Sequence, residues 1–204
     1  MRAVGISLTR EDETQETLHV GLDLIFAGSC GLFGAREIAS SESDALRRRF
    51  FSGFLKHLER AGGNISTAWF EEYPENKIAA WEGVGEGGIF AALWNFSGIH
   101  RAGIRVELKK IPLRQITVEI CELYGLNPYR LKSDGCVLAA VENGALVVDE
   151  LQKMGIEAAV IGRVTPGSDR RIVRDDENEG FLERPKPDEL EMFWKYRKTE
   201  EMEQ

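Results

Sequence analysis

The sequence predicts an α/β sandwich, in which a mixed sheet is covered by helices. Three observations predict it. Short apolar runs alternate along the chain with stretches whose apolar residues recur every three or four positions. Glycine follows several of the helical stretches, where it takes the left-handed C-terminal conformation cheaply. The 204 residues are 43% hydrophobic and 29% charged, an ordinary globular mixture that is long enough for one core.

The elements follow in order. Residues 1–20 are polar and read as an N-terminal extension. Residues 22–27 (Leu-Asp-Leu-Ile-Phe-Ala) form a buried strand, a glycine turn runs from Gly28 to Gly34, and Ala35 opens a helix. Residues 43–61 read as one long helix, because Leu46, Phe50, Phe54 and Leu58 recur every four positions and Gly62 and Gly63 end the pattern. Residues 65–70 and 77–81 read as extended, 89–96 as helix and 104–108 as strand. A helix over 117–124 stops at Gly125, a strand covers 136–141, a helix over 145–154 stops at Gly155, and a strand covers 158–164. Pro166, Gly167 and Ser168 then turn the chain into an extended segment at 171–174. The expected domain spans 21–184, and 185–204 is an acidic tail, read as a solvated strand end and a short exposed helix.

Charge and composition exclude several functions. Acids outnumber bases 34 to 26, a net charge of −8, which argues against a general nucleic-acid binder. Residues 175–204 carry eleven acids and five bases, so six of the eight surplus negatives lie there. No apolar run approaches a membrane span, and no signal-peptide apolar region follows Met1; the expected location is the cytoplasm. Cys30, Cys121 and Cys136 are odd in number and far apart, which fits reduced thiols. His19, His57 and His100 lack metal-site spacing, and the basic run of Arg101, Arg105, Lys109, Lys110 and Arg114 reads as a solvated strand and loop. No catalytic constellation and no metal site emerges.

The most chemical-looking stretch is Glu82-Gly83-Val84-Gly85-Glu86-Gly87-Gly88, between a strand and a helix. Glycines admit a ligand close to the backbone, and amides at a helix N-terminus attract anions. Gly83, Gly85 and Gly88 also satisfy the dinucleotide fingerprint G-x-G-x-x-G, with Glu107 placed to meet a ribose hydroxyl. Two further turns precede regular elements: Ser29, Gly31 and Gly34 belong to one, and Ser133, Asp134 and Gly135 to the other. The first of these lacks the Lys-Ser/Thr ending of a nucleotide P-loop. Together these turns either line one cleft at the end of the sheet or stand as three independent turns.

Five blocks, in order, resemble the C-terminal domain of the aminoimidazole-ribonucleotide (AIR) synthetase superfamily, the PurM-like C-terminal domain, in the style of the hydrogenase maturation protein HypE. They are the strand and turn from Gly21 to Gly34, then Glu86-Gly87-Gly88-Ile-Phe-Ala-Ala-Leu-Trp, then Ile111-Pro112-Leu113-Arg114. The last two are Tyr124-Gly-Leu-Asn-Pro-Tyr-Arg-Leu-Lys-Ser-Asp-Gly and Ala158-Ala-Val-Ile-Gly-Arg-Val. The resemblance implies a glycine turn that faces a nucleotide cleft and holds phosphate, while a separate N-terminal domain supplies most of an ATP site and its acidic metal ligands. The chain also departs from the pattern. Where the family often reads H-D-x-T-x-G-G, Glu82 to Gly88 here lack the histidine, aspartate and threonine. The opening strand begins near residue 21, leaving no length for the ATP domain, and the last cysteine is Cys136, so HypE's C-terminal cysteine chemistry is not expected.

The reading that follows is a stand-alone accessory module with Gly83, Gly85, Glu86, Gly87, Gly88, Ser29, Gly31, Gly34, Ser133, Asp134 and Gly135 around a phosphate-bearing small molecule. ATP with Mg²⁺ enters only if a homodimer or a separate N-terminal-type chain completes the site. Two alternatives stand beside it: half of a split ATP-dependent enzyme, and a dinucleotide-binding protein.

Overall fold

A computed structural model describes residues 18–59, 65–73, 77–175 and 178–202. The elements are β1 (Asp23–Ala27), α1 (Leu32–Ser41), α2 (Ser43–Arg49), α3 (Ser52–Glu59), α4 (Thr67–Glu72), β2 (Ile78–Val84), α5 (Gly88–Ile99) and β3 (Gly103–Glu107). Then come α6 (Gln115–Tyr124), β4 (Cys136–Val141), α7 (Gly144–Lys153), β5 (Ala158–Thr165), β6 (Arg170–Asp175), β7 (Asn178–Phe181) and α8 (Glu189–Met202). Single 3₁₀ turns lie at Leu108–Lys110 and Pro128–Arg130.

One seven-stranded sheet carries the fold, in the order β2-β4-β1-β5-β3-β6-β7. Every neighbouring pair is antiparallel except β3 with β6. The sheet is therefore mixed and α/β, as the alternation of elements predicts. β1 is an inner strand, and because its side chains alternate between two covered faces, Leu24 to Ala27 are all apolar. Leu24 and Phe26 face α5, together with Ala140, Leu138, Ile104, Val106 and Ile161. Ile25 and Ala27 face the other way, onto α4 and α7, with Val137, Ala139, Val141, Phe70, Val147 and Leu151. A second helical layer lies beside this sandwich, where α1, α6 and α8 bury Ile38, Ile116, Ile120 and Phe193 around Leu131.

Two expected elements differ. Residues 65–70 are not extended; Thr67–Glu72 is helical. Ile65, Trp69 and Tyr73 recur every four residues, so the helical period outweighs the apparent strand, and Trp69 meets Tyr73 with ring centroids 4.6 Å apart. The long helix over 43–61 is broken at Phe50, whose backbone is extended (φ −118°, ψ 144°), giving α2 and α3. No proline or glycine marks the break. The four-residue stripe serves both short helices, and Phe50 and Phe54 pack on the second layer from either side of it. Ala61, Gly62 and Gly63 lie outside the described residues. The stops at Gly125 (φ +66°) and Gly155 (φ +78°) are left-handed, as expected.

The acidic tail is helical in α8 and is anchored. Leu190 and Phe193 are buried among α1 and α6 residues, and the Arg197 guanidinium pairs with Glu42. All three cysteines are free and buried, and burial pushes their thiols well above the ordinary range. No described helix is long and apolar enough to cross a membrane.

Candidate functional site: the glycine turn that opens α5

The chain must leave the outer strand β2 and double back over the sheet as α5, and two consecutive glycines make that turn. Gly87 is left-handed (φ +74°, ψ 4°) and caps α5; Gly88 follows at φ +59°. Such backbone is costly for any residue with a Cβ. Gly88 is also pressed against the chain at the second 3₁₀ turn: a Cβ there would lie 2.6 Å from the Tyr129 carbonyl oxygen and 2.7 Å from that of Leu131. Gly31 and Gly34 press on the same segment from the opposite side, against Pro128 and Leu131.

Ser133 joins the turns. It is fully buried. Its Oγ accepts the Gly31 amide at 2.8 Å and donates to the Leu131 carbonyl at 2.9 Å. Its own amide donates to the Gly85 carbonyl at 3.2 Å, and its carbonyl accepts the Cys136 amide. Gly34 donates to the Lys132 carbonyl at 3.0 Å. The three glycine turns thus meet in one place, in direct contact with one another. Ser29 is buried beside them, and its carbonyl accepts from the Leu32 amide. Asp134 and Gly135 are exposed at the rim, where Asp134 pairs with Lys132 at 3.3 Å. Glu86 is exposed beside the turn. Gly83 lies further back on β2, exposed, and a Cβ there would meet nothing within 4 Å.

The Gly87 amide has an occupant. Asp188 Oδ2 accepts it at 2.6 Å, while Oδ1 accepts the Leu190 amide at 2.7 Å. Asp188 is 8% exposed, and burial raises its pKa from the ordinary carboxylate value, with backbone hydrogen bonds from Gly87, Leu190 and Lys132 acting against that rise. The short distance fits a charge-assisted bond. One residue therefore caps α8 and places a carboxylate on the first free turn of α5. The residue-by-residue reading of the sequence overlooked Asp188. The signal was present: Asp188-Glu189-Leu190-Glu191 after Pro187 is a helix-start pattern, but nothing in it announces a contact with Gly87, 101 residues away.

Glu82, on β2, is a second carboxylate raised by burial. Its register partner is Leu138, so it shares the face of the sheet that α5 covers, and burial pushes its pKa up to about 7. Because the folded value lies above the ordinary one, the neutral acid is the form the fold favours; its contribution is complete below about pH 4.5 and is lost as pH rises through about 7. Glu82→Gln should gain on the wild type as pH rises between those limits, by about 2 kcal/mol after allowance for partial solvation. Urea unfolding of both proteins at pH 5 and pH 8 checks it; equal differences at the two pH values would count against a raised Glu82.

The dinucleotide fingerprint lacks its structural setting. It requires adjacent parallel strands on either side of the helix. β2 and β3 are instead separated by β4, β1 and β5. Glu107 pairs with Lys110 at 2.9 Å.

Residues 58–175 match the family model described as AIR synthase related protein, C-terminal domain, which is more than half of the chain. The chain belongs to this family. The AIR synthase related match includes α5, its glycine turn and Ser133, and stops before Asp188. Carbamoyl dehydratase HypE of Rhizobium leguminosarum bv. viciae is 32% identical over 82 residues, 38% of this chain and 23% of that protein. Among solved structures, E. coli HypE, a hydrogenase maturation protein, superposes with a TM-score of 0.68 at 22% identity, covering 91% of this chain and 56% of that one. A HypE crystallised in complex with ATP superposes with a TM-score of 0.61 at 15% identity, covering 87% and 54%. The chain thus spans about half the length of these HypE structures. These likenesses establish the PurM-like C-terminal fold.

Proposed function

We propose that this AIR synthase related domain is a phosphate-binding accessory module. Its site is the turn from Gly85 to Gly88, floored by Ser133 and rimmed by Glu86, Asp134 and Gly135, with Ser29, Gly31, Gly34 and Gly83 as supporting residues. The observation that carries the reading is the carboxylate on the Gly87 amide: the opening of α5 already holds an anion. A phosphate oxygen makes the same kind of bond. In this reading a second chain, or a second copy, supplies the remainder of a nucleotide site, and ATP with Mg²⁺ binds only in that assembly. The half-length match to a HypE that was crystallised with ATP supports this completed-site version, a split ATP-dependent enzyme.

Titration with inorganic phosphate, a sugar phosphate, ATP and NADH, followed through the backbone amide resonances of the turn, tests the proposal. Phosphate, sugar phosphate and ATP should each shift the Gly85, Gly87 and Gly88 amides. If no ligand moves them, either in the wild type or after removal of the Asp188 carboxylate, the turn is purely structural and the reading fails.

A further inference from the structure

We propose that the cavity between α5 and the outer strands β6 and β7 is a ligand site of its own, which takes a small aromatic carboxylate. It stands apart from the glycine turn, and neither reading depends on the other. Three observations carry it. First, the cavity measures about 350 Å³, within the range of small-molecule sites. Second, its floor is aliphatic and its wall is aromatic. Leu108, Ile172 and Leu182 line it, the last two buried in the sheet core. Phe90 and Tyr129 line it as a stacked pair, with ring centroids 5.4 Å apart and planes 11° from parallel. Third, its rim is cationic. Arg174 lies two residues beyond Ile172 on β6 and so shares the face of the sheet that α5 covers. Gly180 on β7 makes room for it: a Cβ there would lie 2.9 Å from a guanidinium nitrogen of Arg174. Among the described residues no carboxylate pairs with Arg174. Arg130, only 18% exposed, is fixed by Glu183 at 2.8 Å, and that same carboxylate also holds Lys186 at 2.8 Å. Glu183 is the one acid of the lining. Two guanidiniums therefore share a single carboxylate with a third cation, in a chain whose net charge is −8. The cationic rim disfavours a neutral ring, and the apolar floor disfavours a bare inorganic anion. A carboxylate carried on a flat ring satisfies both.

1-Naphthoate is the probe, with 1-naphthamide as its neutral counterpart and acetate as the charge without the ring. Each is titrated into the full chain at pH 7 and followed through backbone amide resonances. Naphthoate should shift the amides of Tyr129, Ile172 and Leu182 and bind at least about tenfold more tightly than either control. Arg174→Gln should weaken naphthoate about tenfold. Gly180→Ala keeps every lining group but pushes the Arg174 guanidinium aside, and should weaken it about threefold. Arg174 is exposed and the Gly180 contact is with the end of a flexible side chain, so both variants should keep the thermal midpoint of the wild type. Naphthamide bound as tightly as naphthoate would overturn the anion. Shifts confined to Gly85–Gly88 would place the anion at the glycine turn and overturn this site. No naphthoate binding, or binding that Arg174→Gln leaves unchanged, overturns it as well.

Discussion

Gly162→Ala should unfold the sheet at its centre, with a loss of about 4 kcal/mol or more. Gly162 lies on β5, between β1 and β3. Its register partners are Leu24 on one side and Val106 on the other, and the pairing with β1 slips by one residue between Leu24 and Ile25. A Cβ at Gly162 would lie 2.1 Å from the Arg105 carbonyl oxygen and 2.9 Å from the Val106 Cα. Those are backbone atoms of a paired strand, which cannot step aside without opening the ladder. Glycine in a strand is a weakness unless another chain must come this close, and here one does. Urea unfolding followed by far-UV circular dichroism should show a midpoint far below that of the wild type; a shift as small as that of a surface substitution would mean that β3 and β5 do not pair in this register.

Gly88→Ala should cost about 3 kcal/mol and should also loosen the three-turn junction. The positive φ of +59° accounts for part of the loss. The remainder comes from the Tyr129 and Leu131 carbonyl oxygens, 2.6 and 2.7 Å from the new methyl group. To relieve it, α5 must move off the 3₁₀ turn at Pro128–Arg130, where Phe90 stacks on Tyr129 at 5.4 Å. The measurable outcome is a lowered thermal midpoint together with faster hydrogen exchange at Gly31 and at Ser133, whose amides report the junction. A stability loss with those two amides unaffected would show that Gly88 acts on α5 alone.

The architecture was legible where sequence pattern and local geometry agree. Residues 136–141 are a strand with unbroken apolar character because both faces of β4 are covered. Gly125 and Gly155 end helices because left-handed backbone is cheap only for glycine. The pattern failed where tertiary packing chooses between two periods, at Ile65 to Phe70, and where a break has no local signal, at Phe50. β7 escaped notice for a related reason: Asn178-Glu-Gly-Phe has little strand character of its own and is held by pairing with β6. The family was legible from five short blocks, which record contacts between distant segments as local spellings; the glycines at 87, 88 and 162 are such spellings. Asp188 was not legible as part of the site. Its local role, capping a helix, accounts for it fully until the Gly87 amide is seen on its other oxygen.

The junction at Ser133 has a consequence for how this protein tolerates insertions. Three loops that are far apart along the chain lean on one hydroxyl and its neighbouring backbone atoms, so none of them has slack. Adding one residue to any of the three would displace the other two. The turn at Pro166, Gly167 and Ser168, which carries the chain from β5 past β3 to β6, is built the opposite way: all three residues are exposed, and a side chain at Gly167 would meet nothing within 4 Å. Extra length, a tag or a reporter belongs there, where the chain can grow outward without the rest of the molecule registering it.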